Sequence, residues 1–276
     1  IAAPTGSGKT LTAFLAVLDD LVHRGLESAE GLPDETLVVY VSPLKALSND
    51  IQINLQNPLA GITAQLRAMG LPELRINTAV RTGDTPQKER SAMRKTAPHI
   101  LVTTPESLYV LLGSESGRKM LGTTRTVIID EIHALAESKR GDQLMLQLAR
   151  LDTLSPNLRR IGLSATVEDP PALARFLSPK AQVLLADPGP DPDIQMLVPD
   201  VPPPWAGGGG KYAIPAILEQ VKAHRITLIF HNTRAQAEIF FHNLWLANEE
   251  ALPIGIHHGS LSREQRERVE AAMVAG

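Results

Sequence analysis

Ala3-Pro4-Thr5-Gly6-Ser7-Gly8-Lys9-Thr10 is the stretch on which the reading of this chain turns. It has a small residue, four free positions and then Gly-Lys-Thr, the pattern of a phosphate-binding loop. Small residues let the backbone fold so tightly that successive N–H groups converge on phosphate oxygens. The lysine then reaches the β and γ phosphates and the hydroxyl can ligate magnesium. Thr5, Gly6, Ser7, Gly8, Lys9 and Thr10 are therefore candidate nucleotide-binding residues, with Thr10 a candidate Mg²⁺ ligand. A helix starting at this point adds the positive end of its dipole.

Outward from the loop, Leu11, Phe14, Leu15, Leu18 and Val22 recur at helical spacing, as do Leu44, Leu47, Ile51 and Leu55, so each set predicts one buried helix face. Short apolar runs alternate with such segments: Thr36–Val41, Arg75–Val80, Ile100–Thr103, Thr126–Ile129, Arg159–Leu163 and Val183–Leu185. Alternation of this kind predicts an α/β fold with a parallel sheet between helices. Several runs end in Ser, Thr or Asp, which gathers polar groups at the strand ends.

With 276 residues, 43% hydrophobic and 21% charged, the chain has the composition of an ordinary globular protein. The absence of cysteine excludes disulfides, thiolate metal sites and cysteine nucleophiles. No apolar run reaches the roughly 18 residues of a membrane span, so a soluble, cytoplasmic protein without membrane partners is expected. A net charge of −3 offers no bulk basicity, and any nucleic-acid binding must rest on local contacts. Ile1 stands where a methionine would begin a chain and no export signal follows, so a cut end is expected.

Seven prolines between Pro188 and Pro204, followed by Gly207–Gly210, mark a linker or irregular connection at 188–210. It separates a first domain, 1–187, from a second, 211–276. In the second, helices alternate with the expected strands Thr227–Phe230 and Ile254–Ile256. One expected helix face carries Ala237, Phe240, Phe241, Leu244 and Trp245, and Ser262 with Gln265 has capping-box spacing. The second domain is too short for a complete doubly wound sheet. Trp205 could stack on a base, but pinning the linker is its expected role.

The run Thr126–Ile129 leads into Asp130-Glu131-Ile132-His133. Two acids at the carboxyl end of an apolar strand lie where open parallel sheets bind ligands. Asp130 is suited to hold Mg²⁺ and Glu131 to orient and deprotonate an attacking water. Taken alone such a pair also suits a solvated turn, and it is the loop at 3–10 that favours catalysis by Lys9, Asp130 and Glu131. His231, His257 and His258 lack the supporting ligands of a metal centre.

Ala3–Thr10, Asp130–His133 and Ser164-Ala165-Thr166 follow the order and spacing of motifs I, II and III of superfamily-two DExH helicases. Ser42-Pro43-Leu44-Lys45-Ala46-Leu47, Arg81-Thr82-Gly83-Asp84-Thr85, Thr104-Pro105-Glu106-Ser107-Leu108, Ile229–Arg234 and His257–Ser262 narrow the match. Over nearly its whole length the chain resembles the large helicase-related (Lhr) family, especially its ligase-associated bacterial branch. The resemblance implies tandem RecA-like domains, the second incomplete and without motifs V and VI. It also implies ATP and Mg²⁺ as cofactors and a single-stranded DNA track, with RNA tolerated in the displaced strand and a part in DNA repair. It places Lys45, Arg81, Thr82, Gly83, Thr104, Pro105, Asn232, Thr233, Arg234, His258 and Gly259 against strand phosphates, and makes His133, Ser164 and Thr166 the coupling residues. An RNA helicase, or a nucleic-acid-binding module without turnover, would share much of this pattern.

Overall fold

Five short strands pair in the computed structural model into one parallel sheet: β1 (Val38–Val41), β2 (Thr78–Arg81), β3 (Ile100–Thr103), β4 (Thr126–Ile129) and β5 (Arg159–Gly162). Their order is β2-β3-β1-β4-β5. The structure describes all residues except 44, 166, 188, 190, 206–209 and 276, and of residues 45–50, 52–54 and 263 the backbone alone. Val41 lies in register with both Thr103 and Ile129, Arg81 with Thr103, and Ile129 with Gly162. The carboxyl ends are level, so the loops that follow all emerge along one edge.

Beyond β5 the sheet continues by single bridges, with Ala2 between Ser164 and Leu185. The segment leading into the loop at 3–10 is thus a strand position, and Val183–Leu185 contributes one bridge rather than the expected ladder. β1, β2 and β5 are trimmed or shifted by one to three residues from the predicted runs.

Alternation along the strands divides the core. Val38, Tyr40, Ile100, Val102 and Ile128 face α1 (Lys9–Glu27) and α2 (Lys45–Ala68), where Phe14, Val17, Leu18, Ile51 and Leu55 meet them. Val39, Val41, Leu101, Val127 and Ile129 face the other way. That layer is closed by α3 (Gln87–Lys95), α4 (Pro105–Gly113), α5 (Glu115–Leu121), α6 (Ile132–Ala136), α7 (Lys139–Leu154) and α8 (Pro170–Leu177). Each fully buried Val, Leu or Ile contributes about 1.5–3 kcal/mol of transfer free energy against the entropy of ordering. β1, β3 and β4 are buried along their whole length, which is the reason they read as continuous apolar stretches, whereas β2 and β5 are only partly covered.

The predicted face of α1 needs correction. Leu11 and Leu15 are about half exposed, and Ala13, Phe14, Val17, Leu18 and Leu21 face the sheet. The segment carries two overlapping apolar stripes, and stacking of Phe14 on Tyr40, with centroids 5.0 Å apart, belongs to the second.

The chain divides into two compact units, Ile1–Pro190 and Asp191–Gly276. In the second, a 3-10 turn (Lys211–Ala213) leads into α9 (Ile214–Ala223), followed by α10 (Arg234–Ala247) and α11 (Arg263–Ala275). Its buried apolar residues are Ile214, Phe240 and Leu244, against which Ile217, Leu218 and Ile254 pack. Phe241 and Trp245 lie outside that core, and Trp245 is 60% exposed. Trp205 is fully exposed, so the expectation that it packs down is not met.

Thr227–Phe230 and Ile254–Ile256, expected as strands, form no ladder among the described residues. The first unit supplies a physical reason: its first two strands, β1 and β2, are not neighbours, because β3 lies between them. Two consecutive strands of such a series need a third to bridge them, and no described residues of the second unit occupy that place. No helix among the described residues is long and apolar enough to cross a membrane.

Candidate nucleotide and strand site

At the level edge of the sheet, the turn at 3–10 delivers the chain into α1. Gly6 and Gly8 adopt φ of 82° and 85°, and a Cβ at either would meet nothing within 4 Å. Their glycine requirement is therefore backbone conformation rather than crowding. Gly8 is the N-cap and makes no side-chain cap, which leaves the first turn's N–H groups available to a ligand. Lys9 is 8% exposed. Its ammonium forms no ion pair or hydrogen bond with a described residue, an arrangement suited to an anion from outside the chain.

Asp130 and Glu131 leave β4 at the same edge. Asp130 is 4% exposed, and its Oδ1 accepts the Glu131 backbone N–H at 3.0 Å. Glu131 holds φ 45°, ψ 44°, a left-handed conformation unfavourable for a residue with a Cβ. Such strain concentrates at functional positions. The Glu131 carboxylate lies 3.3 Å from His133 Nε2, and His133 Nδ1 lies 3.1 Å from Ser164 Oγ. The first is an ion-pair distance and the second a hydrogen bond, so the imidazole stands between the carboxylate and the Ser164 hydroxyl, which can donate to Nδ1 or accept from it.

Ser164 is itself fixed by the strand before the phosphate loop. Its N–H donates to Ile1 O at 3.0 Å, and its carbonyl accepts the Ala3 N–H at 3.1 Å. Three of the expected motifs therefore converge on one residue. Thr166, expected beside it, lies outside the described residues.

Sequence reasoning missed Tyr40. It is fully buried one pleat below this edge, on the same face of the sheet as Asp130, and its hydroxyl makes no hydrogen bond of acceptable geometry. Burial, and then the nearby Asp130 carboxylate, hold its pKa far above the ordinary phenol value. The phenol is thus kept neutral beside that carboxylate.

The loops assigned to strand phosphates line the rest of the edge. Arg81 ends β2, and its guanidinium donates to Thr82 O at 2.7 Å. Burial, then the neighbouring Arg90 and Arg94, lower its pKa. Thr82 N–H donates to Thr85 Oγ1 at 2.8 Å, and Arg90, unremarked in the sequence, donates to Thr85 O and Gly83 O at 2.7 and 2.8 Å. Arg90 thus braces the loop from behind. Thr104 is the N-cap of α4, its Oγ1 accepting from Ser107 N–H, and both Thr104 and Pro105 are buried. The hydroxyls of Thr82, Thr85 and Thr104 are taken up in holding these loops, each accepting a backbone N–H of its own turn. The side chain of Lys45 lies outside the described residues, although its backbone opens α2.

In the second unit the expected contact residues form their own cluster. Thr233 caps α10 by accepting from Gln236 N–H at 3.2 Å. Arg234 donates to Ser260 Oγ at 2.5 Å, and His258 Nε2 lies 2.7 Å from Glu238 Oε1. A Cβ at Gly259 would stand 3.4 Å from the Arg234 guanidinium. Asn232 to Arg234 and His258 to Ser260 are thereby brought together across 26 residues of chain.

A cavity of about 450 Å³ opens at the amino ends of the strands, lined by Arg24, Arg125 and Arg159 among others, away from every motif residue. Among the described residues no group of three or more His, Asp or Glu is placed to hold a metal by itself.

A parallel sheet of this order, flanked by helices on both faces, is a RecA-like α/β fold, and the comparisons place it among helicases. The model of the DEAD/DEAH box helicase family matches residues 1–173, and the chain belongs to that family. It is 43% identical over its whole length to the ATP-dependent helicase Lhr-Core of Methanothermobacter thermautotrophicus, spanning 33% of that protein. It is 39% identical to the Lhr helicase/uracil glycosylase of Escherichia coli, of which it spans 21%. Among solved structures, Mycobacterium smegmatis helicase Lhr bound to ssDNA and AMP-PNP superimposes with a TM-score of 0.82 at 41% identity, over 100% of this chain and 36% of that one. The chain thus spans about a third or less of the curated relatives named here.

Proposed function

We propose that this chain is the nucleotide-hydrolysing and strand-gripping part of an ATP-dependent DNA helicase or translocase of the Lhr type. The observation that carries the reading is the edge itself. An unpaired, largely buried Lys9 at a helix start shares it with Glu131, and Glu131 is joined through His133 to Ser164. Thr5 to Thr10 would cradle the phosphates of ATP, with Lys9 on the β and γ oxygens. The hydroxyl of Thr10 and the carboxylate of Asp130 fit a magnesium ion, which when bound neutralises charge developing on the transferred phosphoryl group. Glu131 would orient the attacking water and accept its proton. His133 and Ser164, with Thr166, would pass the state of that carboxylate to the sheet.

On the same reading Lys45, Arg81, Thr82, Gly83, Thr104 and Pro105 hold one nucleic-acid strand by its backbone, and Asn232, Thr233, Arg234, His258 and Gly259 do so from a second RecA-like domain at 211–276, after a linker at 188–210. Backbone amides and helix starts suffice for phosphate contacts, which reconciles strand binding with a net charge of −3. The ssDNA and AMP-PNP bound in the Mycobacterium smegmatis Lhr structure favour DNA as the track. Three-prime-to-five-prime movement and a part in DNA repair follow from the family resemblance.

The test is ATP turnover by the full-length protein with and without single-stranded DNA or RNA, followed by Arg81→Ala. DNA should stimulate turnover, and the variant should weaken DNA equally for unrelated sequences while reducing the salt slope by about one. Turnover indifferent to any nucleic acid would overturn the proposal, and stimulation by RNA alone would replace DNA with RNA.

A further inference from the structure

Arg140 stands outside every motif considered above, yet its guanidinium joins two of them. Its Nε donates to Glu106 Oε1 at 2.7 Å, and one terminal nitrogen donates to Pro43 O at 2.9 Å. Pro43 belongs to the turn after β1, and Glu106 to the first turn of α4. On the proposed function these are two separate loops that grip the strand.

Arg140 follows the acid pair closely along the chain. Asp130 and Glu131 lead into α6, which ends at Ala136, and α7 begins three residues later. Ser138 closes that turn from both sides: its Oγ donates to Leu135 O at 2.8 Å and accepts the Gly141 N–H at 3.1 Å. At Gly141 a Cβ would stand 2.0 Å from Leu135 O, so only glycine lets α7 start this close to α6. Arg140 therefore leaves a junction held on both sides, seven residues after His133, the acidic-box residue that contacts Ser164.

Direct stabilisation is a poor explanation for the arrangement. The Arg140 and Glu106 side chains are 45% and 58% exposed, and ion pairs so open to solvent contribute little net stability. Glu106 also sits at the start of a helix that is to face phosphates, where an uncompensated carboxylate would repel them. Partial burial alone would raise its pKa, but the hydrogen bond and charge of Arg140, together with the hydrogen bonds from its own backbone N–H and Thr104, prevail and lower it. A guanidinium fork can serve a carboxylate and a carbonyl at a fixed angle; an ammonium keeps the charge and loses that geometry.

We propose that Arg140 is a positioning residue that ties the segment following the acid pair to both strand-gripping loops, and so makes nucleotide binding and strand binding favour one another. This inference rests on the function proposed above. Because Arg140 touches neither expected ligand, its removal should affect coupling rather than either binding reaction alone.

The experiment measures the affinity of the full-length protein for a fluorescent oligo-dT strand by anisotropy, with and without Mg²⁺ and AMP-PNP. The parent should bind the strand about 10-fold more tightly with the nucleotide, within the usual range for coupled sites. Arg140→Gln and Arg140→Lys should both bring that ratio to within about twofold of one. AMP-PNP affinity without DNA and the melting temperature should stay unchanged. Restoration of coupling in Arg140→Gln/Glu106→Gln would show that the arginine only masks a charge, and would overturn the positioning role. So would a parent-like ratio in Arg140→Gln, parent-like coupling in Arg140→Lys, or a loss of AMP-PNP affinity in the absence of DNA. A parent with no coupling and no DNA stimulation of turnover would instead remove the function on which the inference stands.

Discussion

The two compact units hold comparable loops by different means. In the first, every loop of interest hangs from the level end of a buried parallel sheet, and side chains such as Arg90 and Ser138 trim its position. In the second, Asn232–Arg234 and His258–Ser260 are brought together by two side-chain contacts, Arg234 with Ser260 and His258 with Glu238, beside a buried core of three residues. The contrast teaches that positioning can come from a ladder or from cross-links, and that only the ladder resists the loss of a single side chain.

The sharpest test of the first unit's chemistry is Glu131→Gln. Single-turnover hydrolysis by the full-length protein should fall by about 10²–10⁴, with nucleotide affinity retained, because the amide preserves shape but accepts no proton. Unchanged hydrolysis would break the assignment. Lys9→Ala should weaken ATP binding roughly 100-fold, the scale of losing charge-assisted hydrogen bonds, as measured by titration with a labelled nucleotide.

Stability should separate the units next. Leu18→Ala in the first should cost about 2–5 kcal/mol in chemical unfolding, since the side chain is completely buried in a close-packed layer. Amide exchange should be slow at 38–41 and fast at 227–230, where no ladder protects the backbone. Equal protection would erase the contrast.

The smallest effect concerns pH. His99 Nδ1 accepts the Asn77 N–H at 2.8 Å and Nε2 lies 3.1 Å from Pro33 O, so the ring is held neutral with its proton on Nε2. Burial lowers its pKa below the ordinary histidine value. The unfolded chain therefore binds the extra proton more readily, and the associated stability is present above about pH 6.5 and lost as pH falls below it. Unfolding of the parent should become easier through that window, and His99→Gln should flatten the dependence.

Much of this was legible from local pattern. The loop at 3–10 and the acids after Thr126–Ile129 need only their own neighbours to be recognised. Ser262 and Gln265 do form the reciprocal cap, with N–H to Oε1 at 3.2 Å and N–H to Oγ at 3.3 Å. Tyr40, Arg90 and Arg140 were not legible, because their roles depend on which strands become neighbours and on partners up to 97 residues away. The face of α1 was misread for a related reason: its two stripes have the same period, and the ring of Tyr40, on a strand whose place beside α1 no spacing reveals, decides between them. In the second unit, the short apolar run Thr227–Phe230 describes a segment able to join a ladder, but pairing is a property of two segments and not of one.

Ser164 is held by its backbone and by its hydroxyl in two unrelated ways. The backbone bonds belong to the sheet, whose opening is a matter of local unfolding, whereas a hydroxyl rotor can reorient in picoseconds to nanoseconds. One residue thus carries a slow clock and a fast one. On the proposed function, the contact with His133 could be made and broken many times within a single opening of the framework that carries it. Ser164→Ala would silence the fast clock and leave the slow one running.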